Sequence, residues 1–194
     1  MPKLIDHDER RHELAAATWR VILHQGIGNV SIRTVAAEAG VSTGSLRHIF
    51  PSRTDLLVHA MGLVDVQVEQ RMVRHRAEPD ARSLALKVLA ELLPLDEERR
   101  AEMEVNIALF AEAPADPRIA EVRDRAHADV RAVCVGLIEL LRDRGRVRAD
   151  VDVEEAATSL HALTDGLALH MIIAQDPTVG QRAIQILHTH LDSL

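Results

Sequence analysis

Cysteine is almost missing from this chain. A single thiol, Cys134, excludes an internal disulfide and any cysteine-based zinc site, and its apolar neighbours make it a packed side chain. Aromatic residues amount to 2 % and tyrosine is absent, so Ala, Leu, Val and Ile must build the core. Apolar–polar alternation of the kind that marks strands is scarce, and Gly and Pro fall between long segments rather than inside them. No run of about 18 apolar residues occurs, so no membrane span is expected. The opening MPKLIDHDERRHE is charged and holds no apolar signal core, which points to the cytosol. What remains is an all-α chain of 194 residues, 47 % hydrophobic and with mixed charge. That is enough for one sizeable domain, or a small one attached to a larger one, and it is unlike a disordered segment.

Other absences narrow the chemistry. There are 11 histidines, yet no HxxxH or HExxH spacing. His161 and His170 diverge on one helix, and so do His188 and His190 on another, so neither metal nor cofactor is expected. An enzyme would need a paired acid and base or an activated nucleophile. His161 with Asp165 is the one tempting couple, and no Ser or Cys stands at an obvious nucleophile spacing. A binding protein is therefore expected rather than an enzyme. Net charge is −7, which by itself speaks against nucleic acid, but its distribution is uneven. Residues 1–55 hold seven Lys/Arg against six Asp/Glu, while the remainder holds 16 against 24. A DNA-binding head on an acidic body is permitted.

Apolar periodicity and stop signals predict nine helices, over about 8–25, 31–39, 42–50, 52–76, 81–93, 96–113, 117–144, 153–175 and 177–191. Between the second and third stands Gly40, where a left-handed stop costs glycine little. Ser31, Ser42 and Ser52 fit N-caps, and Asp55 completes a capping box with Ser52. Two short helices on a tight glycine turn form a helical hairpin. Val35, Val41, Leu46 and Ile49 are spaced to bury where they cross, and small Ala36 lets them approach. Ser42, Thr43, Gly44, Ser45, Arg47 and His48 are left outside. These are donors and acceptors able to reach base edges and phosphates in a major groove, although an ordinary hairpin with a polar outside has the same spacing.

The stretch SIRTVAAEAGVSTGSLRHIFPSRTDLL, residues 31–57, preceded by AATWRVILHQG, resembles the N-terminal domain of TetR-type transcriptional regulators. The match carries a Ser/Thr, an AxxAGVSxGxL core, and a basic residue before a Leu-Leu pair. It covers about a quarter of the chain. The family's usual recognition-helix tyrosine is Arg47 here. GSLRHIF, with GRVRADVDVEEAATSLHALTDGLALH at 145–170, resembles the BetI-type branch. The resemblance implies residues 1–55 as a helix-turn-helix domain and 56–194 as an effector-binding and dimerisation domain, with the functional boundary inside helix four. It implies that Ser31, Arg33 and Thr34 meet phosphate and that Ser42, Thr43, Gly44, Ser45 and Arg47 face bases or backbone. Gly44 would allow close approach, and His48 and Arg53 would reach phosphates. Arg47 could touch the backbone, as the tyrosine does, or read a guanine.

The body carries two further readings. Helix 153–175 is apolar almost all round. Leu160, Leu163, Leu167 and Met171 form one stripe, and Ile184, Leu187 and Leu191 repeat it on the last helix. Two such helices from each of two chains would make a four-helix interface, and a two-fold pair is what a palindromic operator requires. Gly166 in mid-helix is expected to admit a helix passing close by. A ligand cavity is expected at Met61, Val64, Met103, Ile107 and Phe110, with His161 and Asp165 opposite the dimer stripe. The expected function is a homodimeric repressor that a small-molecule effector releases from operator DNA. A helical ligand carrier, or an enzyme built on His161 and Asp165, is the alternative.

Overall fold

The computed structural model describes residues 7–174, 176 and 178–194. Nine α-helices run through them: α1 His7–Gln25, α2 Ile32–Glu38, α3 Thr43–Ile49, α4 Arg53–Arg74, α5 Ala81–Glu91, α6 Glu97–Glu112, α7 Pro117–Asp143, α8 Val153–Ile173 and α9 Val179–Ser193. Two 3₁₀ turns, Ile27–Asn29 and His75–Ala77, sit before α2 and after α4. The second is where the expected helix four runs into a tighter turn. The expected opening of the last helix at Pro177 lies outside the described residues.

Local chemistry sets most of the helix starts. Side chains of Ser31, Ser42, Ser52, Asp80, Asp96, Asp116 and Asp152 each accept a backbone N–H from the first turn that follows. Each such cap is worth about 1 kcal/mol. Ser52 and Asp55 close a reciprocal capping box, and so do Ser31 and Thr34, with threonine where a glutamate is commoner. Gly40 adopts φ 65° between α2 and α3, and its successor Val41 returns a hydrogen bond to Ala36. A Cβ there would be strained whatever the space.

Two cores follow. One gathers α1, α2, α3 and the first half of α4 around Leu14, Val21, Val35, Leu46, Phe50 and Leu57. It continues into the body through Val105 and Leu109 of α6 and Ile119 of α7. The other is built by α5, α7, α8 and α9, with Leu89, Ile138, Leu160 and Leu187 fully buried. Helix α4 serves both, because Leu56 to Val64 lie in the first core while Met72 packs on the second.

Candidate nucleic-acid interface and interior cavity

On α3, Leu46 and the following Phe50 point inward and are fully buried. Thr43, Gly44, Ser45, Arg47 and His48 are all exposed, as is Ser42 before them. The Ser42 hydroxyl accepts from the Ser45 amide at 3.1 Å, so its first duty is to cap α3. Ser31 and Thr34 are half-buried and engaged with each other, Thr34 also donating to the Asn29 carbonyl at 2.7 Å. A Cβ on Gly44 would meet only Ser42 Oγ, at 3.9 Å, so space outside it is open. Arg53 opens α4, half-buried, and donates to the Ile27 carbonyl at 3.4 Å.

Charge sharpens this face. Glu13 pairs with Arg10 and Glu38 with Arg20, each at 2.7 Å, and Asp55 pairs with Arg118 of α7 at 2.6 Å. Burial pulls the Asp55 carboxyl upward, but the Ser52 hydrogen bonds and the Arg118 charge outweigh it and hold it below the usual carboxylate range. Arg33 and Arg47 take part in no ion pair among the described residues. With Glu38 matched, Arg33 and Arg47 are the formal charges left over on α2 and α3 among the described residues. Arg118 with Asp55 also ties α7 to the capping box of α4, at the seam between head and body.

The body holds a cavity of about 500 Å³ between α4, α5, α6, α7 and α8. Of the residues proposed for a ligand, Met61, Val64, Met103 and Asp165 line it. Ile107 and Phe110 do not, and His161 does not. Ile107 is half-buried one turn beyond Met103 and is not part of the lining. Phe110 lies about 10 Å beyond Met103 along the helix and is 46 % exposed. His161 is buried behind Asp165, its Nε2 3.3 Å from Oδ2. Burial pushes the His161 imidazole down, against the pull of Asp165. Cys134 is buried beside them, its thiol pushed up to about 12 by burial and then by Asp165.

The wall of the cavity was not foreseen. It carries Asp65, Glu69, Glu91, Glu102, Asp129 and Asp165 against one guanidinium, Arg99, which is itself paired with Glu91. Burial, then Asp129, pushes Asp65 above the usual carboxylate range. Glu102 is buried and raised by burial, although Arg71 of α4 donates to it twice, at 2.9 and 2.7 Å. Arg71 reaches Glu91 of α5 as well, at 3.1 Å. The only cue was an acid inside an apolar periodic stretch, Glu102 between Ala101 and Met103, and on one helix that looks like a solvated face. Among the described residues, no aromatic side chain lines the cavity.

The expected dimer stripe needs correction. Leu160, Met171, Leu187 and Leu191 are buried inside their own chain, where α8 and α9 pack on α7 and α5. A partner cannot reach them. Leu163, Leu167 and Ile184 are half-buried against the same core. The face left open is one helical turn-set round: Ala162, Gly166, Leu169 (47 % exposed) and Ile173 (72 %) on α8, with Ile186 (44 %) on α9. Among the described residues, nothing outside the surrounding helix backbone comes within 4 Å of a Cβ built on Gly166, so none of them supplies the close helix expected there.

Comparison with known proteins agrees with this geometry. Residues 14–60 match the family model described as bacterial regulatory proteins, tetR family, and residues 81–194 match BetI-type transcriptional repressor, C-terminal. The HTH-type transcriptional regulator PksA of Bacillus subtilis is 36 % identical, covering all of this chain and 94 % of that protein. The regulator BetI of Burkholderia cenocepacia is 29 % identical, covering all of this chain and 98 % of that one. Among solved structures, a transcriptional regulator from Saccharomonospora viridis in complex with choline superposes with a TM-score of 0.85 at 26 % identity, over 95 % of this chain and 96 % of that one. A Rhodococcus regulator superposes at 0.77 with 28 % identity, over 93 % and 95 %.

Proposed function

From the premise that the chain belongs to the tetR family of bacterial regulatory proteins, with a BetI-type C-terminal domain, and is a helix-turn-helix transcriptional regulator, we propose that it is a repressor released from a palindromic operator by a small organic cation. Residues 1–55 read DNA and residues 56–194 bind effector and partner, with α4 the shared element. Arg47 replaces a neutral phenol with a full charge on the recognition helix. Thr43, Gly44 and Ser45 approach the bases beside it. Arg33, His48 and Arg53 meet phosphates, while Ser31, Thr34 and Ser42 hold the helices that present them. Two chains meet through the open α8–α9 face, Ala162 and Gly166 giving room for the backbones to close and Leu169, Ile173 and Ile186 supplying apolar area. The pair sets two copies of α3 about 34–36 Å apart, one turn of duplex.

The observation that carries the effector class is the cavity wall, six carboxylates and one already paired guanidinium around methionines and valines. Such a wall favours a cation with apolar bulk. With no aromatic lining, its charge is met by carboxylates rather than by an aromatic cage. The Saccharomonospora neighbour, which holds choline, supports the same class. Arg71, outside the lining, is bonded to two of its carboxylates, Glu102 and Glu91. An effector that takes up either carboxylate loosens the far end of α4 and tilts it, and the two recognition helices lose register. A tenfold loss of operator affinity needs only about 1.4 kcal/mol of difference between the two states. No catalytic role falls to His161 and Asp165.

The test is a fluorescence-anisotropy titration of the purified chain against duplex from upstream of its own gene, over a salt series. Tight binding that weakens steeply with salt is expected, because phosphate contacts release counterions. Choline should weaken it about tenfold or more, whereas 3,3-dimethylbutanol, its neutral isostere, should not. Failure to hold any duplex removes the regulator reading, and equal action of the neutral isostere removes the cationic effector.

A further inference from the structure

Packing of α7 on α8 brings together three metal-ligating side chains that no sequence motif joins. His127 comes from α7, His161 and Asp165 from α8, and their ligand atoms all lie within 4.8 Å of one another. His161 Nε2 stands 3.3 Å from Asp165 Oδ2. Around a tetrahedral ion bound at about 2.0–2.1 Å, neighbouring donor atoms sit about 3.3–3.4 Å apart, so two of the three already have that spacing. The imidazoles of His127 and His161 lie 4.7 Å apart, tilted by 35°. His127 is exposed, and its ligand atom stands within 4.8 Å of those of the other two. Arg131, one turn along α7, is drawn off into an ion pair with Glu154.

We propose that His127, His161 and Asp165 form a binding site for a divalent transition-metal ion of the zinc class, with water completing the coordination. Two imidazoles and a carboxylate suit Zn²⁺, Ni²⁺ or Co²⁺ and are a poor match for Mg²⁺ or Ca²⁺, which take oxygen donors. The two α8 ligands are one turn apart on one face, and the third faces them from a different helix, so an ion fastens α7 to α8. It also draws the Asp165 carboxylate from the cavity wall it lines. The site stands whether or not the cavity takes a cation, since its ligands are complete without one.

The experiment is titration of the untagged, chelator-stripped protein with Co²⁺, read by visible d–d absorption and followed by displacement with Zn²⁺. One ion per chain is expected, with the intense bands of low coordination number. His127→Ala and Asp165→Asn alter exposed positions on two different helices, and circular dichroism checks that each variant folds. Each should weaken Co²⁺ binding by at least roughly 10–100-fold, the loss that removing even an outer partner of a ligand brings. Absence of the bands in the native protein overturns the site. Unchanged affinity in either variant also overturns it, since the ion would then sit on other histidines.

Discussion

The outer face of α3 and the inner wall of the cavity are both crowded with polar side chains, and they are opposites. On α3 the nearby acids are matched by Arg10, Arg20 and Arg118, which leaves Arg33 and Arg47 facing outward. In the cavity the carboxylates outnumber the cations, and burial pushes Asp65 and Glu102 above their ordinary range. One face is left with unmatched cations and the other with surplus carboxylates. The chain's net charge describes neither, because pairing within each region decides which sign is left over. Acids at the surface are cheap to match and contribute little to stability, whereas a buried carboxylate without a partner is costly. The two regions should therefore answer mutation in different currencies, binding for the head and stability for the body.

The largest effect expected is at Arg71. Arg71→Ala leaves Glu102 buried and unpaired, which should cost about 3 kcal/mol in urea unfolding. The remaining Glu102 carboxyl, already raised by burial, would rise further. The folded chain then holds a proton that the unfolded chain releases, so the deficit is greatest near neutrality and shrinks as pH falls towards the ordinary carboxylate range. A loss below about 0.5 kcal/mol at neutral pH would break the comparison, because the wall would then tolerate its charge without a cation.

Next comes Arg47. Arg47→Ala should weaken operator binding by about 1–3 kcal/mol and leave the unfolding midpoint unchanged, since the side chain is exposed and has no partner among the described residues. Loss confined to one base position marks a guanine contact. A uniform loss with a salt slope shallower by about 1 marks a phosphate. Unchanged affinity would take Arg47 out of the interface. The smallest effect separates support from contact on α3. Ser42→Ala should cost about 1 kcal/mol of stability through the lost cap. Ser45→Ala should cost almost none and still lower duplex affinity. Equal stability losses in the two variants would show that Ser42 is not the residue holding the helix.

Much of the head was legible because its signals are local. Ser31, Ser42 and Ser52 cap the helices that follow them, Gly40 turns the hairpin with a positive φ, and Leu46 is buried as its spacing requires. The body was legible in its helices and not in their facing. Helix α8 is apolar on several sides, so periodicity alone could not say which side meets its own core. The stripe through Leu160 and Met171 went inward, and the one through Ala162, Gly166 and Ile173 stayed open. Phe110 shares a stripe with Met103 but lies too far along α6 to reach the cavity. Glu102 looked like a solvated acid because its partner, Arg71, is 31 residues away.

Composition and order along the chain decided that this protein is helical, where its helices begin, and that a short polar helix follows a glycine turn. Those outcomes depend on hydrogen bonds and steric limits that act within about four residues. Which carboxylates share a cavity, which apolar face remains for a partner, and that His127 meets His161 and Asp165 were decided by the rotation and stagger of packed helices. Those follow from side chains interlocking across the whole core, and no spacing along one helix contains them.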